Sequence, residues 1–294
     1  MKKLNYGLRK MVNKNRDGSY GTRAERNRSL QLIAKQLDDL GFKNMTVSSL
    51  KTKHIWALVR HWQSTVSEHT GKTVSNGTIK NRMSALRWWA EKIGKQNIIP
   101  RRNKDLGITN RQRLPATDKA FELTDEQKED LPRYLNLSAR LQEEFGLRRE
   151  EAAKFTLSKA EHDDHIRLVA SWTKGGRARS IPILNDRQRA LLEEIRVYAP
   201  KRSLIPSRMN YDQYLSHRNY ILAASQIPPT HGLRYHYAQQ RYLELTKGMK
   251  PPRLGGKRRG LLDEKEKALD EKARLVLSSE LGHSRIDITR HYLG

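Results

Sequence analysis

The chain has no cysteine. A disulfide framework and thiolate metal sites are therefore excluded, which fits a reducing, cytoplasmic setting. It is also short of apolar residues, at 36% of 294. No run approaches the roughly 18 consecutive apolar residues of a membrane span, so no membrane partner is expected. The basic start, Met1-Lys2-Lys3-Leu4, lacks an apolar stretch behind it, so no secretory signal is expected. Acidic residues are scarce beside basic ones: 32 Asp/Glu against 58 Lys/Arg, a formal charge of +26. Such a chain repels itself and is relieved by a polyanion, nucleic acid first and an anionic membrane surface second. The excess is uneven. Residues 1–115 hold 25 Lys/Arg against 7 Asp/Glu, and the remainder 33 against 25. Electrostatic grip is expected in the first part and specific chemistry in the second.

The length accommodates two domains. Residues 1–24 are basic, hold Gly18, Ser19 and Gly21, and read as a flexible arm that orders on a polyanion. Residues 25–112 read as a helical domain. Leu30, Leu32, Ile33, Leu37 and Leu40 mark one helix; Leu50, Ile55, Trp56, Leu58, Val59 and Trp62 a second, over 47–66; Ile79, Met83, Leu86, Trp89 and Ala90 a third, over 75–93. The tryptophans read as core. Lys80, Arg82 and Arg87 fall on the third helix's outer face, and Arg101 and Arg102 open a basic linker that also holds Arg111, Arg113 and Pro115. Residues 113–294 read as a second domain. Thr124-Asp125-Glu126-Gln127 is a capping box for a helix running to about Phe145. The one β signal is a hairpin, Ile166–Ala170 and Ala178–Ile183, around Thr173-Lys174-Gly175-Gly176-Arg177. Helices are expected over 186–198, 211–224 and 231–245. The fold class is mainly α, with a small antiparallel sheet in a mixed α+β second domain.

Four motifs follow one another in this second half: Gly146-Leu147-Arg148-Arg149-Glu150-Glu151, Lys174 in its Gly-rich turn, His231-Gly232-Leu233-Arg234, and Leu281-Gly282-His283 with Tyr292 nine residues on. In type and order they resemble the tyrosine recombinases, the phage-integrase family of DNA strand-exchange enzymes. The resemblance implies a helical core-binding domain and a catalytic domain closing as a C-shaped clamp on double-stranded DNA. It implies a dimer per recombination site and a tetrameric synapse, with accessory DNA-bending or directionality factors possible partners, in a bacterial or phage nucleoid. Integration or excision of a mobile element is the expected use. A type IB topoisomerase and a non-catalytic DNA-binding relative are the alternatives.

Breaking a phosphodiester calls for stabilised phosphate charge, a nucleophile that loses a proton and a leaving group that gains one. The resemblance gives the phosphate to Arg148 and Arg234, whose planar guanidinium forks suit it. It makes Tyr292 the nucleophile, forming a 3′-phosphotyrosine, His231 its proton acceptor, His283 a donor to the phosphate and Lys174 the acid for the 5′-oxygen. Glu151, one turn from Arg148, is expected to orient an arginine. Arg177 and Arg179 on the hairpin are candidate DNA contacts and rivals of Lys174. No cofactor is expected. Glu161-His162-Asp163-Asp164-His165 holds metal-type ligands, but on a turn before a strand, and no metal is assigned. Arg234 and His283 are 49 residues apart, wider than the family usually shows. Residues 247–272 are therefore read as a basic insertion, with Lys257, Arg258 and Arg259 as DNA contacts. Two residues follow Tyr292, without the helix that many members dock on a neighbour, which leaves protomer contact open.

Overall fold

The computed structural model describes residues 2–66, 71–109 and 117–294. The chain divides into two compact units, Met1–Gln112 and Arg113–Gly294. The boundary, with Arg111, Arg113 and Pro115 of the expected linker, lies outside the described residues. Among the described residues, no helix is long and apolar enough to cross a membrane.

The first unit is built from four helices: α1 (Lys3–Lys14), α2 (Tyr20–Asp39), α3 (Thr52–Ser64) and α4 (Asn76–Lys92). Ser19 and Ser75 start α2 and α4 by accepting the backbone N–H three residues on. Gly94, at φ 68°, follows the end of α4. Trp62 and Trp89 are fully buried, their indole N–H groups donating to Gln36 and to the Val47 carbonyl at 2.9 Å. The expected arm is corrected here. Leu4, Leu8 and Val12, spaced four apart, make α1 amphipathic, and all three are buried in the same core as α2 to α4. Composition concealed that stripe because basic residues surround it.

The second unit opens with α5 (Asp125–Asp130) and α6 (Arg133–Glu144). The single helix expected from Thr124 to Phe145 is broken at Leu131-Pro132, because proline forces the residue before it out of the helical region; Leu131 has ψ 136°. Thr124 and Gln127 form the capping box reciprocally. Then come α7 (Arg149–Lys154), α8 (Leu157–Ala160), β1 (His165–Leu168), β2 (Arg179–Pro182), α9 (Asp186–Tyr198), α10 (Tyr211–Ala224), α11 (His231–Leu245), α12 (Glu264–Glu280) and α13 (Arg290–Leu293). The strands pair antiparallel, Leu168 opposite Arg179 and His165 opposite Pro182. The last part of the expected insertion is helical. Residues 264–272 form the first half of α12, whose Asp270 and Ala273 are buried. Between α11 and α12 the chain makes two short 3-10 turns, Pro252–Leu254 and Arg259–Leu261.

Candidate active site

Three stretches of chain meet around one buried guanidinium. The first is the corner after α6. Gly146 sits at φ +62°, and a Cβ there would lie 2.4 Å from the Tyr237 ring, so only glycine turns this corner. The corner aims the Gly146 carbonyl at Arg234 Nη1 and brings Arg148 to the start of α7. Glu151, one turn later, accepts from the Arg148 backbone N–H at 2.7 Å and from its Nη1 at 2.9 Å. The same carboxylate receives both ends of Arg179, Nη1 at 2.9 Å and Nη2 at 2.7 Å. Glu151 is buried and its carboxyl lies at about 2. Burial alone would raise that value; the hydrogen bonds and charges of Arg179 and Arg148 outweigh it.

The second stretch is α11. Arg234, Tyr235, Ala238, Gln239 and Tyr242 share one face with His231, at spacings of three, four, seven, eight and eleven, and all but His231 are buried. Gly232 lets the helix start close to its neighbours, since a Cβ there would meet the Lys119 carbonyl at 2.4 Å. Arg234 is fully buried without a carboxylate beside it; its partners are the Gly146 and Leu281 carbonyls, the latter at 2.6 Å, and Tyr292 Oη at 3.2 Å.

The third stretch is the tail after α12. Gly282, at φ +64°, turns the chain so that a Cβ there would touch Arg179 Cδ at 2.9 Å. The turn presents the Gly282 carbonyl to Arg148 Nη2 at 3.3 Å and sets His283 Nε2 3.2 Å from Tyr292 Oη. Tyr292 is buried against Tyr235, ring centroids 4.7 Å apart. Its carbonyl accepts from Gln239, whose amide also donates to the Asp118 carboxylate. Arg274 of α12 donates to Thr289 Oγ1 at 3.2 Å, three residues before the tyrosine.

The cations set the protonation of both histidines. Burial first, then the fields of Arg234 and Arg148, push His283 down to about 3 and His231 down to about 4. Both are neutral at pH 7. Arg234 Nη2 lies 3.4 Å from His283 Nε2. A guanidinium can only donate, so this contact is a hydrogen bond in the tautomer that carries the ring proton on Nδ1.

Of the residues expected in the site, Arg148, Glu151, Arg234, His283 and Tyr292 come together in one hydrogen-bonded cluster. His231 lines it, its ring centroid 6.5 Å from that of Tyr292. Lys174 is exposed on the loop between β1 and β2 and no hydrogen bond ties it to the cluster. The expected DNA contact at Arg179 is corrected: the side chain is 6% exposed and all three guanidinium nitrogens serve protein acceptors, Nε the Glu280 carbonyl at 2.7 Å. Arg82 and Arg87 are half-buried. Arg82 lies over the Trp62 ring, and Arg87 donates to the Pro100 carbonyl and to Asn103. Lys80 is likewise half-buried, while Arg101, Arg102, Arg177, Lys257, Arg258 and Arg259 are exposed. Lys257 and Arg259 are ion-paired with Glu266 and Asp270. Gln239, Asp118 and Arg274, which with Thr289 hold the tyrosine segment, escaped the sequence reading. The signal for Gln239 was there: it is eight residues from His231, on the face of α11 that carries the site.

A family model described as "Phage integrase, N-terminal" matches residues 1–99, and one described as "Integrase" matches residues 109–240. No curated protein sequence matches the chain. Among solved structures, a lambda integrase dimer bound to a COC′ core site aligns over 99% of this chain and 77% of its own, at 16% identity and a TM-score of 0.61. The XerH site-specific recombinase in its post-cleavage complex aligns over 99% and 81%, at 16% identity and 0.58. The Tn1549 transposon integrase with circular intermediate DNA aligns over 100% and 96%, at 15% identity and 0.55. A helical unit followed by a unit that gathers two arginines, two histidines and a tyrosine is the organisation of a DNA strand-exchange enzyme. The chain belongs to the phage-integrase family of tyrosine site-specific recombinases.

Proposed function

We propose that this recombinase cuts and rejoins double-stranded DNA sites through a 3′-phosphotyrosine on Tyr292. The reading is carried by one observation: Tyr292 Oη is held between Arg234 Nε and His283 Nε2, each at 3.2 Å. A phenol, ordinarily near pKa 10, is there flanked by a group that takes its proton and a cation that stabilises the phenolate. Oη attacks phosphorus and the P–O5′ bond breaks. Arg148 and Arg234 hold the non-bridging oxygens, and Lys174 gives its ammonium proton to the departing O5′. No bond energy is lost to hydrolysis, so religation needs no ATP.

The family resemblance gives the phenol proton to His231. The 3.2 Å distance from Tyr292 Oη to Nε2 favours His283 for this step, leaving His231 to the phosphate. Two sites, each bound by two protomers, exchange strands within a tetramer, with accessory DNA-bending or directionality factors acting outside the chain. Integration or excision of a mobile element is the use most in keeping with the transposon and phage integrases of similar fold.

The test is incubation with a nicked duplex built from the DNA flanking the protein's own gene, in EDTA, followed by a denaturing gel. A covalent adduct that is lost in Tyr292→Phe is expected. A shifted native complex without adduct would overturn catalysis and leave a DNA-binding protein. Relaxation of supercoils without partner exchange would favour the topoisomerase alternative.

A further inference from the structure

We infer that Arg179 is a positioning residue for Lys174: it anchors the loop from which the lysine reaches the leaving oxygen. This rests on the proton-donor reading of Lys174. Lys174 sits on a loop with little stiffness of its own. Gly175 and Gly176 follow it, both in left-handed conformation with open space around them. Two side chains tie the loop down. On its near side Trp172 is buried, tilted against Phe155 at 6.0 Å between centroids. On its far side Arg179 is the first residue of β2, opposite Leu168, which is fully buried. Only residues 173–178 lie between.

Arg179 is no ordinary strand residue. Its guanidinium makes a bidentate pair with Glu151, the carboxylate that also orients Arg148. Its Nε donates to the Glu280 carbonyl at the end of α12, and its Cδ lies against the Gly282 corner that presents His283. One side chain thus fixes the lysine loop to the arginine that holds the phosphate and to the turn that faces the tyrosine. A bidentate fork is needed for this; an ammonium at the same place reaches one acceptor at a time. A residue that only contacted DNA would leave its guanidinium to solvent, whereas each of the three guanidinium nitrogens of Arg179 donates to a protein acceptor.

The test uses the full chain and two forms of one substrate, single-turnover cleavage being measured on each. One carries the ordinary 5′-oxygen at the cleaved phosphate. The other carries a bridging 5′-sulfur, whose thiol, near pKa 8.5, departs without a proton. Lys174→Ala should slow cleavage of the oxygen substrate by about 10²- to 10⁴-fold, the usual worth of a positioned acid, and be nearly restored by sulfur. Arg179→Lys should follow it: slowed at least about tenfold on oxygen and within about threefold of wild type on sulfur. Insertion of one glycine after Gly176 leaves Arg179 and the core untouched and should give the same pattern, because it lengthens the tether between the two anchors. An Arg179→Lys defect equal on both substrates would overturn the proposal and place the residue's effect on Arg148 or the tyrosine instead. A glycine insertion without effect would also overturn it. If sulfur fails to restore Lys174→Ala itself, the proton-donor reading is wrong and the proposal goes with it.

Discussion

Replacing Glu151 with glutamine is the most revealing single change in the site. The carboxylate is 1% exposed and accepts four hydrogen bonds, two from Arg148 and two from Arg179. Glutamine keeps the shape, but its amide nitrogen faces donors, and the buried Arg179 loses the carboxylate it pairs with. Breaking a buried ion pair from one side costs about 3–5 kcal/mol. A second route agrees. The carboxyl falls from 4.5 to about 2 on folding, and 2.5 units correspond to about 3 kcal/mol. Because the folded value is the lower one, this stability is complete above about pH 4.5 and is lost as pH falls through about 2. Urea unfolding of wild type and Glu151→Gln should therefore differ by about 3 kcal/mol at pH 7, with equal slopes, and by less than half of that at pH 3. A difference under about 1 kcal/mol at pH 7, or one that does not shrink with acid, would refute the account of Glu151 as an ionised pin.

Three further outcomes follow from the same geometry. With His231 and His283 at about 4 and about 3, the cleavage rate should keep its base well below the ordinary histidine value of 6.5; an acid limb near 6.5 that vanishes in His231→Gln or His283→Gln contradicts this. Leu8→Ala should cost about 2–5 kcal/mol in denaturant unfolding, the usual loss for a buried leucine, whereas a loose arm predicts almost no change. Gly146→Ala should lose more than about 2 kcal/mol, from left-handed strain and the displaced Tyr237 ring. It should also slow cleavage, since Arg148 and a carbonyl partner of Arg234 move together.

Much of the candidate site was legible because its residues stand in short motifs: Arg148, Arg234, His283 and Tyr292 each lie within two residues of a glycine or histidine. The helices α9, α10 and α11 were expected over 186–198, 211–224 and 231–245 and form at those bounds. What escaped has a common physical cause. Arg179 looks like every other basic residue in a chain with 58 of them, and only burial separates an inward guanidinium from an outward one. Leu4, Leu8 and Val12 were hidden by the lysines and arginines between them. The break at Pro132 was stated in the sequence and outweighed by the apolar run across it. Gln239 holds the tyrosine through a backbone carbonyl, and its place on the site's face of α11, eight residues from His231, was the sign of it.

The order of the chain gives the site a history. Arg148, Arg179 and Arg234 all precede Leu281, His283 and Tyr292, so a growing polypeptide acquires the cations of the candidate site before the tail that packs around Arg234. Until the tail arrives, Arg234 lacks the Leu281 carbonyl and the tyrosine hydroxyl, and α11 lacks the cover of Leu293, which is fully buried against it.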